Sequence, residues 1–350
     1  RPPLLEVVDA HKAYPVRGGF LSGSRLSVQA VSGVTLSVAA GETFGLVGES
    51  GCGKSTLGRL MVGLERPDSG QIRFDGTDIA ALTGSALRRQ RRHFQMVFQD
   101  PYASLNPKLR IRATVREPLV VQHVGSRKDW NDVVDGLLRD VGLPEDAGRR
   151  YPHEFSGGQR QRIGLARALS VRPQMIVADE PVSALDVSIQ SQIINKMHDL
   201  QREFSLSLVV ISHDLSVVNY LADRVGVMYL GKLVEIGPTD VIYGQPAHPY
   251  TAGLLEAVPT PDPNTRNRPR TARIRGELPS AVHPPSGCRF RTRCPRAAER
   301  CETQEPLVRE ITPGRSVACH FPLVAEEQLS SRREARSTTG LTAPGGETLG

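Results

Sequence analysis

Residues 48–56 read Gly48-Glu49-Ser50-Gly51-Cys52-Gly53-Lys54-Ser55-Thr56. Glycines at 48, 51 and 53 let a backbone wrap tightly and aim several N–H groups at one point, which side chains would obstruct. Lys54 and Ser55 follow at the spacing of a phosphate-binding loop, in which the lysine reaches the β- and γ-phosphates and the hydroxyl completes a Mg²⁺ shell. Upstream, Thr43-Phe44-Gly45-Leu46-Val47 reads as a short strand, and residues 55–64 downstream read as a helix that Gly63 and Pro67 close. Strand, glycine turn and helix in direct succession leave the helix-start N–H groups free to receive an anion. All nine loop residues are therefore assigned to a nucleoside triphosphate, with Cys52 as a small filler.

A second element, Gln174-Met175-Ile176-Val177-Ala178-Asp179-Glu180, reads as a buried strand that delivers two adjacent carboxylates to its end. Adjacent strand residues point in different directions, so the two acids take different tasks. Asp179 is placed to hold Mg²⁺ through its water shell, and Glu180 to orient and polarise the water attacking the γ-phosphate. The phosphate charge of ATP needs neutralising, so Mg²⁺ is implied. Further strands are expected over 4–10, 26–38, 70–79, 94–98 and 207–211, and a hairpin over 225–236 turns at Gly231. Helices are expected from about 111 to 170 and over 189–203. The whole is an α/β core interrupted by a helical insertion.

Composition narrows the class. The chain has 350 residues, 39% hydrophobic and 23% charged, enough for one large domain with an appendage. A net charge of +7 biases it toward polyanions or an anionic membrane surface, but only 5% of residues are aromatic, so specific nucleic-acid recognition by base stacking is not expected. No apolar run approaches the length of about 20 residues that crosses a bilayer. The start, Arg1-Pro2-Pro3-Leu4-Leu5-Glu6, lacks a secretory pattern, so a cytosolic location is expected. A composition shift near Gly237 leads into an exposed linker at 259–270, and 326–350 is expected to be a disordered tail.

Between the two nucleotide elements lies Phe155-Ser156-Gly157-Gly158-Gln159-Arg160-Gln161-Arg162. Here the chain resembles the ATP-binding cassette (ABC) superfamily, with Phe155 in place of the usual leucine of the signature motif. The resemblance implies an α/β P-loop NTPase fold: an ABC-type RecA-like core with a β-rich subdomain and a helical insertion at about 101–170, covering 1–240. It also implies that Ser156, Gly157, Gly158 and Gln159 serve the ATP held by an opposing ATPase subunit. Tyr14 resembles the aromatic that stacks on adenine, with a structural tyrosine as the other reading. Gln99 resembles the residue that contacts Mg²⁺ and the lytic water, and His213 the switch histidine at the γ-phosphate. Ser183-Ala184-Leu185-Asp186 resembles the segment that crosses the dimer seam. Neither a coiled-coil insertion nor a tandem cassette is present, which disfavours a non-transport ABC ATPase acting on nucleic acid or the ribosome.

Gln99-Asp100-Pro101-Tyr102-Ala103-Ser104-Leu105-Asn106-Pro107 and His248-Pro249-Tyr250-Thr251 resemble the oligopeptide, dipeptide and nickel importer ATPases of bacteria. That resemblance implies two permease subunits, a second ATPase subunit and an extracytoplasmic solute-binding protein, with the chain peripheral on the cytoplasmic face of the membrane. Peptide is favoured over nickel or another small solute. Arg88 to Arg92 read either as a solvated helix face or as a contact with permease or lipid. The extension 241–325 carries Cys288, Cys294, Cys301 and Cys319, four soft ligands able to staple a core-poor segment through a [4Fe–4S] cluster or Zn²⁺. The spacing matches neither a ferredoxin run nor a paired C-x₂-C knuckle, and metal-free thiols stay open. The resemblance favours the iron–sulfur cluster, with Arg289, Arg291 and Arg293 offsetting its charge.

Overall fold

The computed structural model describes residues 3–16, 26–100, 104–183, 187–257, 274 and 276–323. The expected linker at 259–270, the tail at 326–350, and Ala184, Leu185 and Asp186 of the expected seam lie outside the described residues. Strands β3 (Thr43–Val47), β7 (Met175–Asp179) and β8 (Ser207–Ser212) are buried along their whole length. Continuous burial is what the middle of a parallel sheet demands, because both faces are covered. With β6 (Phe94–Val97) and β9 (Arg224–Tyr229) they run parallel in the order β6-β7-β8-β3-β9.

Successive residues along these strands feed two different layers. Phe44, Leu46, Met175, Val177, Val209 and Ile211 enter one cluster together with Leu57, Leu60 and Met61 of helix α1 (Lys54–Met61). Ile176, Ala178, Leu208 and Val210 enter a second cluster on the opposite face. Fully burying each of the three α1 side chains stabilises the fold by about 1.5–3 kcal/mol, which fixes a short helix that propensity alone would not hold.

That second cluster also contains the helical insertion: α3 (Ile111–Gln122), α4 (Trp130–Asp140) and α5 (Gly157–Leu169), following a short α2 (Gly84–Gln90). Trp130 closes the start of α4 by donating from its indole Nε1 to the Val124 carbonyl at 2.7 Å. On the other side, β1 (Pro3–Pro15), β2 (Ser27–Ala39), β4 (Ser69–Phe74) and β5 (Thr77–Asp78) make a separate antiparallel sheet in the order β2-β1-β4-β5.

The C-terminal part is built onto the core sheet. After α6 (Val187–Phe204) and α7 (Leu215–Leu221), strand β10 (Lys232–Pro238) returns antiparallel to β9 through a turn at Leu230-Gly231. Helices α8 (Thr239–Gly244), α9 (Pro249–Ala257) and α10 (Glu299–Thr303) follow, and β11 (Arg309–Thr312) with β12 (Arg315–Val317) extends the sheet outward from β10. Glu235 of β10 is fully buried and accepts from Arg315 Nη2 at 2.8 Å and from the amides of Ala247 and His248 at 2.9 Å each. One buried carboxylate thereby joins the core sheet to two separate pieces of the extension. Among the described residues no helix is long and apolar enough to cross a membrane.

Candidate nucleotide site

Parallel pairing brings the C-terminal ends of β3, β6, β7 and β8 to one edge: Val47 pairs with Ser212, Asp179 with Ile211, and Val97 with Ala178. Each strand is followed at that edge by a residue expected in the site. The phosphate loop follows β3, Gln99 lies two residues beyond β6, Glu180 one beyond β7 and His213 one beyond β8. This is where ligands collect in open α/β sheets.

The loop's backbone is enforced by its neighbours. Gly53 holds φ at +104°, and a Cβ there would meet the Ala30 carbonyl oxygen at 1.9 Å; a Cβ on Gly48 would meet the Met228 carbonyl oxygen at 2.2 Å. No side chain fits either position, so both glycines are required by close backbone approach. The Lys54 ammonium lies inside the loop, donating to the Gly48 and Glu49 carbonyls at 2.7 and 3.0 Å. Cys52 is buried, and burial raises its thiol pKa, in keeping with an inert filler.

Ser55 Oγ donates to Asp179 Oδ1 at 3.0 Å. Burial raises the Asp179 pKa, opposed by the Ser55 hydroxyl. A desolvated carboxylate beside a hydroxyl is a donor pair suited to a hard divalent cation, so the residues fit Mg²⁺. Glu180 is the centre of a second group. Its Oε2 accepts from Gln99 Nε2 at 2.7 Å and its Oε1 lies 3.1 Å from His213 Nδ1. The Glu180 side chain is 13% exposed while His213 is 54% exposed, so the carboxylate is sheltered and the imidazole faces outward. Glu180 sits at φ +46°, unusual for a residue with a side chain, and its amide donates to the Ile211 carbonyl at 2.9 Å. Ser183 Oγ donates to the Glu180 carbonyl at 3.3 Å.

The signature residues form a separate construction. Ser156 is the exposed N-cap of α5, its Oγ accepting from the Gln159 amide at 3.4 Å while Gln159 Oε1 accepts from the Ser156 amide at 3.0 Å. This reciprocal capping box starts the helix at Gly157. Phe155 is buried in the helical layer, which accounts for its apolar character. Among the described residues, no hydrogen bond joins Ser156 to the phosphate loop of the same chain. Tyr14 is partly buried and its hydroxyl donates to Glu65, which orients the ring beside the start of α1.

Two contacts on the loop come from residues that motif spacing does not single out for it. The Glu49 amide donates to Tyr250 Oη at 2.9 Å, and the Glu49 carboxylate takes a two-pronged ion pair from Arg293, with 2.6 Å to Nη1 and 3.0 Å to Nη2. Arg293, expected to offset charge at the cysteines, points to the phosphate loop instead. Arg289 likewise turns to the Leu230 carbonyl and to Gln29 and Ser32, while Arg291 lines the cysteine cavity. No local pattern distinguishes Arg293 from its neighbours, since its partner lies 244 residues away in the chain.

Cys288, Cys294, Cys301 and Cys319 are free thiols that line one small cavity with His248 and His320. Burial raises the thiol pKa of Cys288 to about 11 and of Cys319 to about 12, and also raises that of Cys294. Among the described residues, no group of three or more His, Cys, Asp or Glu side chains is arranged to hold a metal ion. The donor chemistry fits a soft metal centre, but the ligand geometry of one is not formed.

Residues 31–183 match the family model described as ABC transporter, and residues 234–301 match that of the oligopeptide/dipeptide transporter C-terminal region. The chain is 51% identical to the putative oligopeptide transport ATP-binding protein YkfD of Bacillus subtilis, over 93% of this chain and 98% of the relative. It belongs to the ABC transporter ATP-binding proteins. The oligopeptide transport ATP-binding protein AppF of B. subtilis is also 51% identical, over 91% of this chain and 97% of that protein. Among solved structures, this ABC protein resembles the dimeric cassette MJ0796 in a post-hydrolysis state bound to ADP and Pi. The TM-score is 0.60 at 27% identity, over 67% of this chain and 98% of that one. It also resembles cbiO1 from Clostridium perfringens, with a TM-score of 0.61 at 26% identity, over 70% of this chain and 92% of that one. The ABC protein is an ATPase.

Proposed function

We propose that this ATPase powers the uptake of oligopeptides or dipeptides as one of two nucleotide-binding subunits on a membrane permease. The observation that carries the reading is the pairing, in one chain, of the Ser55–Asp179 and Gln99–Glu180–His213 contacts beside the phosphate loop with a C-terminal region matching the oligopeptide/dipeptide transporter model. Relatives about half identical along nearly the whole chain, named for peptide or oligopeptide transport, support it.

ATP enters with its phosphates against the amides of residues 48–55 and its adenine on Tyr14. Ser55, Asp179 and Gln99 would hold Mg²⁺, which would supply neutralisation of phosphate charge. Glu180 accepts a proton from the attacking water while Gln99 and His213 hold the carboxylate in place, and His213 reaches the γ-phosphate from the open side. Ser156, Gly157, Gly158 and Gln159 serve the ATP of the opposing subunit, because an uncrowded helix start offers amides to an anion. The dimer seam includes Ser183 together with the expected Ala184, Leu185 and Asp186. ATP closes the dimer and hydrolysis reopens it.

Transmission to the permease is supported by a groove of about 180 Å³ between the core and the helical insertion, lined by Leu64, Phe98, Leu105, Pro118 and Arg167 among others. Leu64 and Phe98 are 44% and 38% exposed, and Phe98 directly precedes Gln99. A permease helix seated there would sense the water-positioning glutamine, and would hold the chain at the cytoplasmic face of the membrane. An extracytoplasmic solute-binding protein delivers the peptide. Cys288, Cys294, Cys301 and Cys319 would hold a [4Fe–4S] cluster, with Zn²⁺ as the alternative, and either would staple a segment poor in apolar core. Four free thiols on one cavity support that assignment.

The test is ATP hydrolysis by the complex reconstituted with its permeases and a receptor loaded with peptide, nickel or nothing. Stimulation by peptide-loaded receptor is expected. Stimulation by nickel alone, or turnover indifferent to any receptor, overturns the substrate assignment. Iron, sulfide and zinc measured on the anaerobically purified protein decide the occupant of the thiol cavity.

A further inference from the structure

We propose that Arg293 is a positioning residue for the phosphate loop, so that the four-cysteine segment braces the ATP site. The proposal rests on ATP occupying that loop and not on what fills the thiol cavity.

The brace has a defined path. Cys288 and Cys294 bound a short turn in which Arg291 N donates to the Cys288 carbonyl at 3.0 Å and Arg293 N donates to the Phe290 carbonyl at 3.0 Å. Phe290 is buried against Tyr229 and Tyr250, with ring centroids 5.2 and 5.4 Å apart, so the turn is anchored in the core. From that anchor the Arg293 guanidinium, its side chain 9% exposed, closes both prongs on the Glu49 carboxylate. Tyr250 holds the amide of the same residue. The loop's other flank is tied as well: the Gly231 amide donates to the Cys52 carbonyl at 2.8 Å, and Arg289 of the same cysteine turn donates to the Leu230 carbonyl next to it.

Two physical consequences follow for ATP. The fork fixes the orientation of Glu49, and with it the Glu49 carbonyl that Lys54 uses, so the loop is held in its anion-receiving shape before nucleotide arrives. Arg293 also neutralises a carboxylate that would otherwise stand uncompensated in a loop built to receive phosphate. Removing Arg293 therefore both loosens the loop and exposes phosphate to a like charge. Neutralising Glu49 as well removes the repulsion but not the loosening.

The measurement is the equilibrium Kd for ATP of the full chain, beside kcat and KM, for the wild type and for Arg293→Ala, Arg293→Lys and Glu49→Gln/Arg293→Ala. Arg293→Ala is expected to weaken ATP binding by about tenfold, the usual cost of cutting a charge-assisted hydrogen-bonded pair. At saturating ATP its kcat should stay within about twofold, because the residue does not touch the reacting atoms. Arg293→Lys keeps the charge without the fork and should weaken binding by about threefold; it also keeps the test open should the alanine variant not fold. The double variant should recover part of the loss. A Kd within twofold of wild type for both single variants, or a double variant no better than Arg293→Ala, overturns the proposal and leaves the ATPase assignment intact. Wild-type protein that binds no ATP would instead overturn the nucleotide site itself.

Discussion

Replacing Glu180 by Gln isolates the chemistry of the site from its packing. The carboxylate accepts from Gln99 at 2.7 Å and faces His213 Nδ1 at 3.1 Å. A glutamine at 180 has the same shape, with one acceptor oxygen and one donor NH₂ in the places of the two oxygens. Gln99 can turn its amide to present oxygen to the new donor, and His213 can change tautomer, so either orientation leaves the hydrogen bonds satisfied. Little folding or ATP-binding energy should be lost. What disappears is the negative charge and the basic oxygen near the attacking water. Loss of a positioned general base costs about 10²–10⁴-fold in rate, equivalent to roughly 3–5 kcal/mol of barrier at about 1.36 kcal/mol per decade. Phosphate release under single-turnover conditions, set beside equilibrium ATP binding, separates the two effects. A variant that binds ATP normally and still turns over within tenfold of wild type would remove Glu180 from its role.

The two-chain site makes a stricter demand. Ser156→Arg and Glu180→Gln should each abolish turnover alone, yet an equimolar mixture that re-forms dimers should regain about a quarter of wild-type activity, because half the dimers carry one intact site; no recovery refutes a shared site. Arg315→Ala leaves the fully buried Glu235 carboxylate without its cation, a loss of about 3–5 kcal/mol that should lower Tm by roughly 4–7 °C in a chain of this length. Glu235→Gln/Arg315→Met should recover most of that, as read by calorimetry. Burial lowers the His248 pKa to about 3, and its Nδ1 accepts from the Tyr250 amide. The folded state therefore keeps this imidazole neutral while the unfolded chain takes up a proton below its ordinary pKa. The stability it contributes is whole above that value and falls with pH toward 3, by about 1 kcal/mol between pH 6.5 and 5.5. His248→Asn, which retains an acceptor, should flatten that part of the denaturation profile, and an unchanged slope would refute the assignment.

Much of the nucleotide site was legible because its requirements are local. A loop that wraps an anion needs glycine where backbone approaches backbone, as Gly48 and Gly53 do, and a lysine and hydroxyl immediately after. A strand ending in Asp179-Glu180 sends its two acids in different directions whatever surrounds it. These features follow from φ/ψ and side-chain reach alone. The helix starting at Gly157 takes its start signal from the Ser156–Gln159 capping box and not from an apolar repeat, so hydrophobic periodicity does not mark its first turn.

Tertiary structure alone decided that Gln99 and His213 meet on Glu180, 81 and 33 residues away along the chain. Parallel pairing aligns the ends of β6, β7 and β8, and no local pattern encodes which strands become neighbours. It also decided the destination of the cysteine turn. Three arginines in five residues look alike in sequence, yet Arg289 and Arg293 are drawn to Leu230 and Glu49. The reason is that a charge-assisted pair depends on a partner brought within about 3 Å by the packing of Phe290, Tyr229 and Tyr250. Which residues come that close is a property of the folded core, whereas the need for glycine in a phosphate loop is already a property of the backbone.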